Sequence, residues 1–173
     1  MAIPRLRFAH LPTPVETLPR LSDTLGGPHL LIKRDDQTGL AFGGNKTRKL
    51  EFLVAEAREQ GAKTLISGGA SQSNHCRQTA AAAARFGFEC ILVLTGDKSQ
   101  HASGNLLLDQ LFGAEMVYVA DRKDRGQHSA ADIRASDERG KEALSGSVWR
   151  IECDGCVGIC VRNERTDRPG RRR

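Results

Sequence analysis

Long apolar runs are missing from this chain: nothing in it approaches the roughly 20 consecutive apolar residues that span a bilayer. A secretory leader is missing too, since MAIPRLRFAHLPTP at the start has proline and charge where an apolar h-region would stand. These absences lead to the expectation of a cytoplasmic protein with no membrane partner. Aromatic residues are scarce, at 5% with one Trp and one Tyr. The net charge of +5 comes mainly from the end of the chain, because residues 1–120 hold 13 Lys+Arg against 11 Asp+Glu and residues 121–173 hold 13 against 10. The basic stretch RNERTDRPGRRR carries no aromatic side chain to stack on bases, so no nucleic-acid partner is expected. A complete metal set is also lacking. Cys153, Cys156 and Cys160 in CDGCVGIC have the spacing of a thiolate site, but no fourth Cys or His follows. The expectation is free thiols and no metal, and without a leader no disulfides. At 173 residues the chain has room for one domain with a real core, while a two-domain enzyme would be cramped.

What is present is a repeated order of helix, glycine and strand. Residues 46–60 carry apolar side chains at Leu50, Leu53, Val54 and Ala57, the spacing of one helix face, and are followed by Gly61 and the strand-like KTLIS. An alanine-rich helix is expected from Asn74 to Phe86, ending at Gly87 before CILVLT. A third is expected from Gly104 to Phe112, ending at Gly113 before MVYV. The three glycines stand 26 residues apart, each where a left-handed residue would close a helix. Helices alternating with short aliphatic strands imply an α/β protein with a parallel sheet covered on both faces. After Ala120 aliphatic residues thin out. There DERGKEAL is expected to make a short helix and SVWRIE a short strand, in a divergent and poorly packed tail over residues 121–173.

Two segments carry candidate chemistry. In GGNKTRKLEF, two glycines let a ligand approach the backbone, Asn45 stands at the N-cap position, and Lys46 and Lys49 share one face of a helix start. Free N–H groups and the positive end of the helix dipole suit an anion there. A lysine that forms a Schiff base beside a phosphate-binding lysine is one reading, and a solvated basic helix start is the other. In ISGGASQSNHCRQTAAAAARFG, a strand runs through Ser71, Gln72, Ser73 and Asn74 into a helix, at the strand end where open α/β sheets bind ligands. A substrate carboxylate fits that position, and so does a well-capped helix with no ligand.

LIKRDDQTGLAFGGNKTRKLEFLVAEA, SGGASQSNHCRQTAAAAARFG and HASGNLLLDQLFGAE together resemble the 1-aminocyclopropane-1-carboxylate deaminase and D-cysteine desulfhydrase family of pyridoxal-phosphate enzymes, over about residues 5 to 120. The resemblance implies parallel-sheet, three-layer βα units of the tryptophan synthase β-like class (fold type II), with pyridoxal 5'-phosphate held between a large and a small α/β domain. It implies Lys46 as the Schiff-base lysine, Lys49 at the cofactor phosphate and Asn74 at the pyridine ring or its hydroxyl. It places Gln72, Ser73, Asn74 and His75 around the substrate carboxylate, and counts Ser73 with Lys46 as catalytic. The implied substrate is a small amino acid: D-cysteine, giving pyruvate, hydrogen sulfide and ammonia, or alternatively the cyclopropane amino acid, giving 2-oxobutyrate. Members of this kind are expected to be homodimers.

The chain also departs from that pattern. Further βα units, a glycine-rich phosphate loop, a tyrosine near the cofactor and a partner for the pyridine nitrogen are not found after Ala120, and the single tyrosine, Tyr118, falls in an expected core strand. Residues 1–120 are therefore expected to be the N-terminal part of such an enzyme, the start of the large domain plus part of the small one, and residues 121–173 a tail of the kind a shifted reading frame produces. An inactive, truncated remnant is the third functional expectation.

Overall fold

A computed structural model describes residues 3–98, 101–126, 147–151 and 158–161. Its centre is a sheet in the order β5-β4-β3-β6-β7, built from β3 (Ala62–Ala70), β4 (Glu89–Thr95), β5 (Glu115–Val119), β6 (Ser147–Ile151) and β7 (Gly158–Val161). The first four are mutually parallel, and β7 runs antiparallel to β6. In β4 the residues Cys90 to Leu94 are all buried, as a strand covered on both faces requires. Their side chains alternate between two clusters. Leu92 and Leu94 join Leu65 on one face, while Ile91 and Val93 join Ile66 and Val119 on the other. Burying each of these large aliphatic side chains is worth about 2 kcal/mol, which makes β4 the backbone of the core.

Three helices complete the repeats: α2 (Lys46–Glu59), α3 (Asn74–Phe86) and α4 (Gly104–Leu111). Leu50, Leu53, Val54 and Ala57 of α2 enter the larger cluster, so the apolar stripe expected from the sequence is the buried face. In α3, Ala80, Ala81, Ala82 and Ala83 are buried, and their small size lets the helix lie close against β3 and β4. Gly61, Gly87 and Gly113 have φ of 69°, 75° and 76°, the left-handed conformation expected at each helix end. The strand expected in SVWRIE forms as β6. Its place is not one the sequence indicates: it lies beside β3 in the main sheet, where it pairs with a strand that would otherwise present an open edge. The DERGKEAL helix lies outside the described residues, as do Cys153 and Cys156.

Ahead of the repeats, β1 (Val15–Thr17) and β2 (Leu31–Lys33) form an antiparallel ribbon with α1 (Pro19–Leu25) between them. The segment before the ribbon is anchored by Glu51 of α2, which is 1% exposed. Its carboxylate accepts from the Phe8 and Ala9 backbone N–H groups, both at 2.8 Å, and from Arg5 Nε at 2.7 Å.

Two buried carboxylates respond to the same desolvation with opposite outcomes. Burial alone would raise the pKa of Glu51, but the amides of Ala9 and Phe8 and the Arg5 guanidinium outweigh it and hold the group below its ordinary value. Asp109 of α4 is fully buried, and among the described residues neither carboxylate oxygen has a hydrogen-bond partner. Burial, only partly offset by the charge of Arg77, raises its pKa to about 7. Cys90 of β4 and Tyr118 of β5 also feel the Asp109 charge, which adds to the effect of their own burial.

The two groups should therefore give stability profiles of opposite sign. Glu51→Gln should cost about 2–3 kcal/mol in urea unfolding at neutral pH, because a charged acceptor of three donors is lost. That difference should shrink as pH falls through the carboxylate range, since the Glu51 contribution exists only while the group is ionised. For Asp109 the native state holds the proton more tightly than the unfolded chain, so stability is lost as pH rises through about 7. Asp109→Asn should remove this loss, worth up to about 4 kcal/mol, and melting temperatures of the two proteins should diverge as pH rises from the ordinary carboxylate range to about 7. Parallel melting profiles across that range would contradict the assignment.

Candidate functional site

The loop that leads into α2 is built by backbone conformations that few residues adopt. Ala41 and Phe42 have φ of 47° and 65°, and Gly43 and Gly44 have 73° and 134°. A Cβ on Gly43 would overlap the Asp36 carbonyl oxygen, and one on Gly44 would overlap the Gln78 amide, so both positions require glycine. The Gly44 N–H donates to the Asp35 carbonyl at 2.8 Å and to Thr38 Oγ1 at 2.9 Å, which folds the loop back on itself. Asp35 in turn receives Arg48 through Nε at 3.0 Å and Nη2 at 2.6 Å, and this guanidinium holds the Asp35 carboxyl below its ordinary value.

The same loop is fastened to α3. Thr47 Oγ1 donates to Gln78 Oε1 at 2.8 Å, and Gln78 Nε2 donates to the Gly43 carbonyl at 2.8 Å. Arg77 Nη2 donates to the same carbonyl at 2.7 Å. Through Nη1, Arg77 also donates to Asn74 Oδ1 at 3.1 Å and Asn105 Oδ1 at 3.0 Å. Asn105, at the start of α4, donates through Nδ2 to Asn74 Oδ1 at 3.0 Å and to the Gln72 carbonyl at 2.7 Å. Gln72 closes the circuit, with Oε1 accepting from the Asn105 N–H at 2.8 Å and Nε2 donating to the Ser103 carbonyl at 3.0 Å. Gly104, at φ 56°, lies where a Cβ would crowd Gln72 Oε1.

A groove of about 520 Å³ opens where these loops meet, lined in part by Lys33, Phe42, Gly43, Asn45, Asn74 and Arg77. Lys46 is half-buried and lies next to this lining, with Nζ 3.2 Å from Asn45 Oδ1. Asn45 does occupy the N-cap position, but its side chain caps no backbone N–H and accepts from the lysine instead. Lys49 lies one turn further along α2. Ser73 is the N-cap of α3, its Oγ accepting from the Cys76 N–H at 3.3 Å. Gln72 and Asn74 are exposed at the surface of the loop, whereas His75 is 2% exposed with Nε2 3.0 Å from Ser67 Oγ. The structure thus brings Asn45 and Asn74 to one groove, with Lys46 beside it on Asn45 and with Gln72 and Ser73 in the adjoining turn, and turns the His75 ring toward the sheet. Sequence reasoning passes over Arg77, Gln78, Asn105 and Thr47. All four stand inside the quoted motifs, but their roles are contacts between elements that no local pattern specifies.

Known proteins resemble this chain in both sequence and fold. Over 118 residues, 65% of this chain, the sequence is 54% identical to a D-cysteine desulfhydrase of Klebsiella pneumoniae (strain 342), and equally so to one of Salmonella typhimurium (strain LT2). The chain spans 36% of the length of each of these relatives. A crystal structure described as that of an ACC deaminase homologue superposes with a TM-score of 0.72 at 34% identity, covering 87% of this chain and 44% of the other. The βα units are therefore those of the fold type II class that the sequence motifs implied. With residues 6–149 matched by the profile for pyridoxal-phosphate dependent enzymes, the chain belongs to that family.

Proposed function

We propose that the chain is the lysine-bearing part of a D-cysteine desulfhydrase-like lyase, converting D-cysteine and water to pyruvate, hydrogen sulfide and ammonia. The observation that carries this reading is a groove lined by Asn45 and Asn74, with Lys46 bonded to Asn45 beside it, in a chain 54% identical to D-cysteine desulfhydrases over most of its length.

The residues at the groove fit pyridoxal phosphate by their chemistry. A primary amine beside the groove suits an aldehyde, and a side-chain amide suits a ring hydroxyl. Asn74 is fixed with its oxygen on Arg77 and Asn105, so its Nδ2 is the end left to donate toward a ligand. The volume, about 520 Å³, lies within the usual range of small-molecule sites. When bound, the cofactor supplies an electron sink for the α-carbon of an amino acid.

In this reading Lys46 would hold the cofactor and, when its amine is free, would move the substrate α-proton. Lys49, a turn away, would help hold the cofactor phosphate at the positive end of α2. Gln72, Ser73 and Asn74 bind the substrate carboxylate at the N-terminal turn of α3, and His75 supports that end from the second position of the helix. The hydroxyl of Ser73 remains able to donate a proton while its oxygen caps the helix. Release of ammonia consumes water, so the last stage is hydrolytic. Residues 1–120 would act as the N-terminal catalytic part, with residues 121–173 as a divergent tail, in a cytoplasmic homodimer.

A second reading follows from the solved ACC deaminase homologue. It keeps the same residue roles and opens the cyclopropane ring to 2-oxobutyrate and ammonia. One experiment addresses all three possibilities. Pyridoxal phosphate added to the purified chain should give a visible absorption band that Lys46→Ala abolishes. Sulfide release from D-cysteine should then exceed 2-oxobutyrate formation from the cyclopropane amino acid; the reverse ratio favours the deaminase. A band without turnover of either substrate would leave a cofactor-binding remnant, and a band that persists in Lys46→Ala would remove the lysine from its role.

A further inference from the structure

We propose that Arg77 is a positioning residue of the groove: its guanidinium fixes the Asn74 amide with Nδ2 toward the ligand while pinning the Gly43 carbonyl, which sets Asn74 and the lysine loop in register. The proposal rests on the cofactor reading for its consequence, but its geometry is independent of that reading.

An arginine can only donate, so any amide it contacts must turn its oxygen toward it. Asn74 Oδ1 is held in this way by Arg77 Nη1 at 3.1 Å, and Asn105 Nδ2 reinforces the same orientation at 3.0 Å. Asn105 cannot turn over either, since its own Oδ1 accepts from Arg77 Nη1 and its Nδ2 also serves the Gln72 carbonyl. The other arm of the guanidinium, Nη2, holds the Gly43 carbonyl three residues before Lys46. One planar group thereby joins the starts of α2, α3 and α4, a geometry that a single ammonium cannot reproduce.

The guanidinium also lies within the electrostatic influence of Asp109. Among the described residues Arg77 Nε is buried without a hydrogen-bond partner, and so are both carboxylate oxygens of Asp109, one turn beyond Asn105 on α4. Each group perturbs the titration of the other, so the Asp109 charge acts on Arg77 across the gap between them. The Gly43 carbonyl is also held by Gln78, so a change at Arg77 should spare the fold of the loop and fall on Asn74.

The test uses the full chain as wild type, Arg77→Lys, Asn74→Ala and the double variant, with Arg77→Gln as a second replacement should the lysine form fail to fold. Pyridoxal phosphate is titrated by visible absorbance, and the side-chain amide signals of Asn74 and Asn105 are followed by 15N NMR without ligand. Replacing Arg77 should weaken cofactor binding about tenfold, the loss of one well-placed charge-assisted contact, and should add little once Asn74 is alanine. In the free protein the Asn74 and Asn105 amide signals should shift while core signals stay in place. Equal losses in both backgrounds, or unmoved amide signals, would overturn the proposal. If the wild type takes up no cofactor, the functional reading fails by itself, and the NMR comparison still decides the role of Arg77.

Discussion

The Gly43 carbonyl is the acceptor on which the site turns. It takes Arg77 Nη2 and Gln78 Nε2 together, both from α3, and so ties the loop before Lys46 to a helix that begins at the end of β3. Buried carbonyls must be paired, and here one carbonyl satisfies two long side chains that would otherwise be costly to bury. The demand propagates outward. Gly43 and Gly44 must be glycine because the neighbouring chain is too close for a Cβ, and Thr47 must present a hydroxyl to orient the Gln78 amide. The strained φ values at Ala41 and Phe42 are retained because this pairing over-determines the loop.

Charge placement around that clamp follows one rule: a buried ion is tolerable when it is satisfied, and shifts its titration when it is not. Glu51 and Asp35 are fully engaged by donors and stay ionised, and each staples a piece of the N-terminal segment to α2. Asp109 has, among the described residues, the charge of Arg77 but no hydrogen-bond donor, and is correspondingly reluctant to ionise. The stable frame and the adaptable groove are thus separated within a few residues. The frame lies along α2 and β4, and the groove lies at the helix starts.

Much of the frame is legible in the order of residues. The apolar stripe of α2, the ILVL run of β4 and the three glycines that close helices announce themselves by spacing alone, because helix and strand periods are local properties of the backbone. Lys46 is legible for a similar reason, since glycines, a small polar residue and a lysine at a helix start form a contiguous pattern. The place of β6 beside β3 is not. Strand pairing across some eighty residues is a long-range choice that a short Val-Trp-Ile segment does not encode by itself.

The sequence by itself determined the order of helices and strands, the left-handed positions at Gly61, Gly87 and Gly113, and the family to which the lysine motif belongs. Tertiary structure alone decided that Asn45 serves Lys46 rather than its helix, that the His75 ring faces the sheet, and that Arg77 and Asn105 hold Asn74 between them. The physical reason is directional. Spacing reveals which face of an element is apolar, but a hydrogen bond depends on where two elements meet, and that is fixed only when the core has packed.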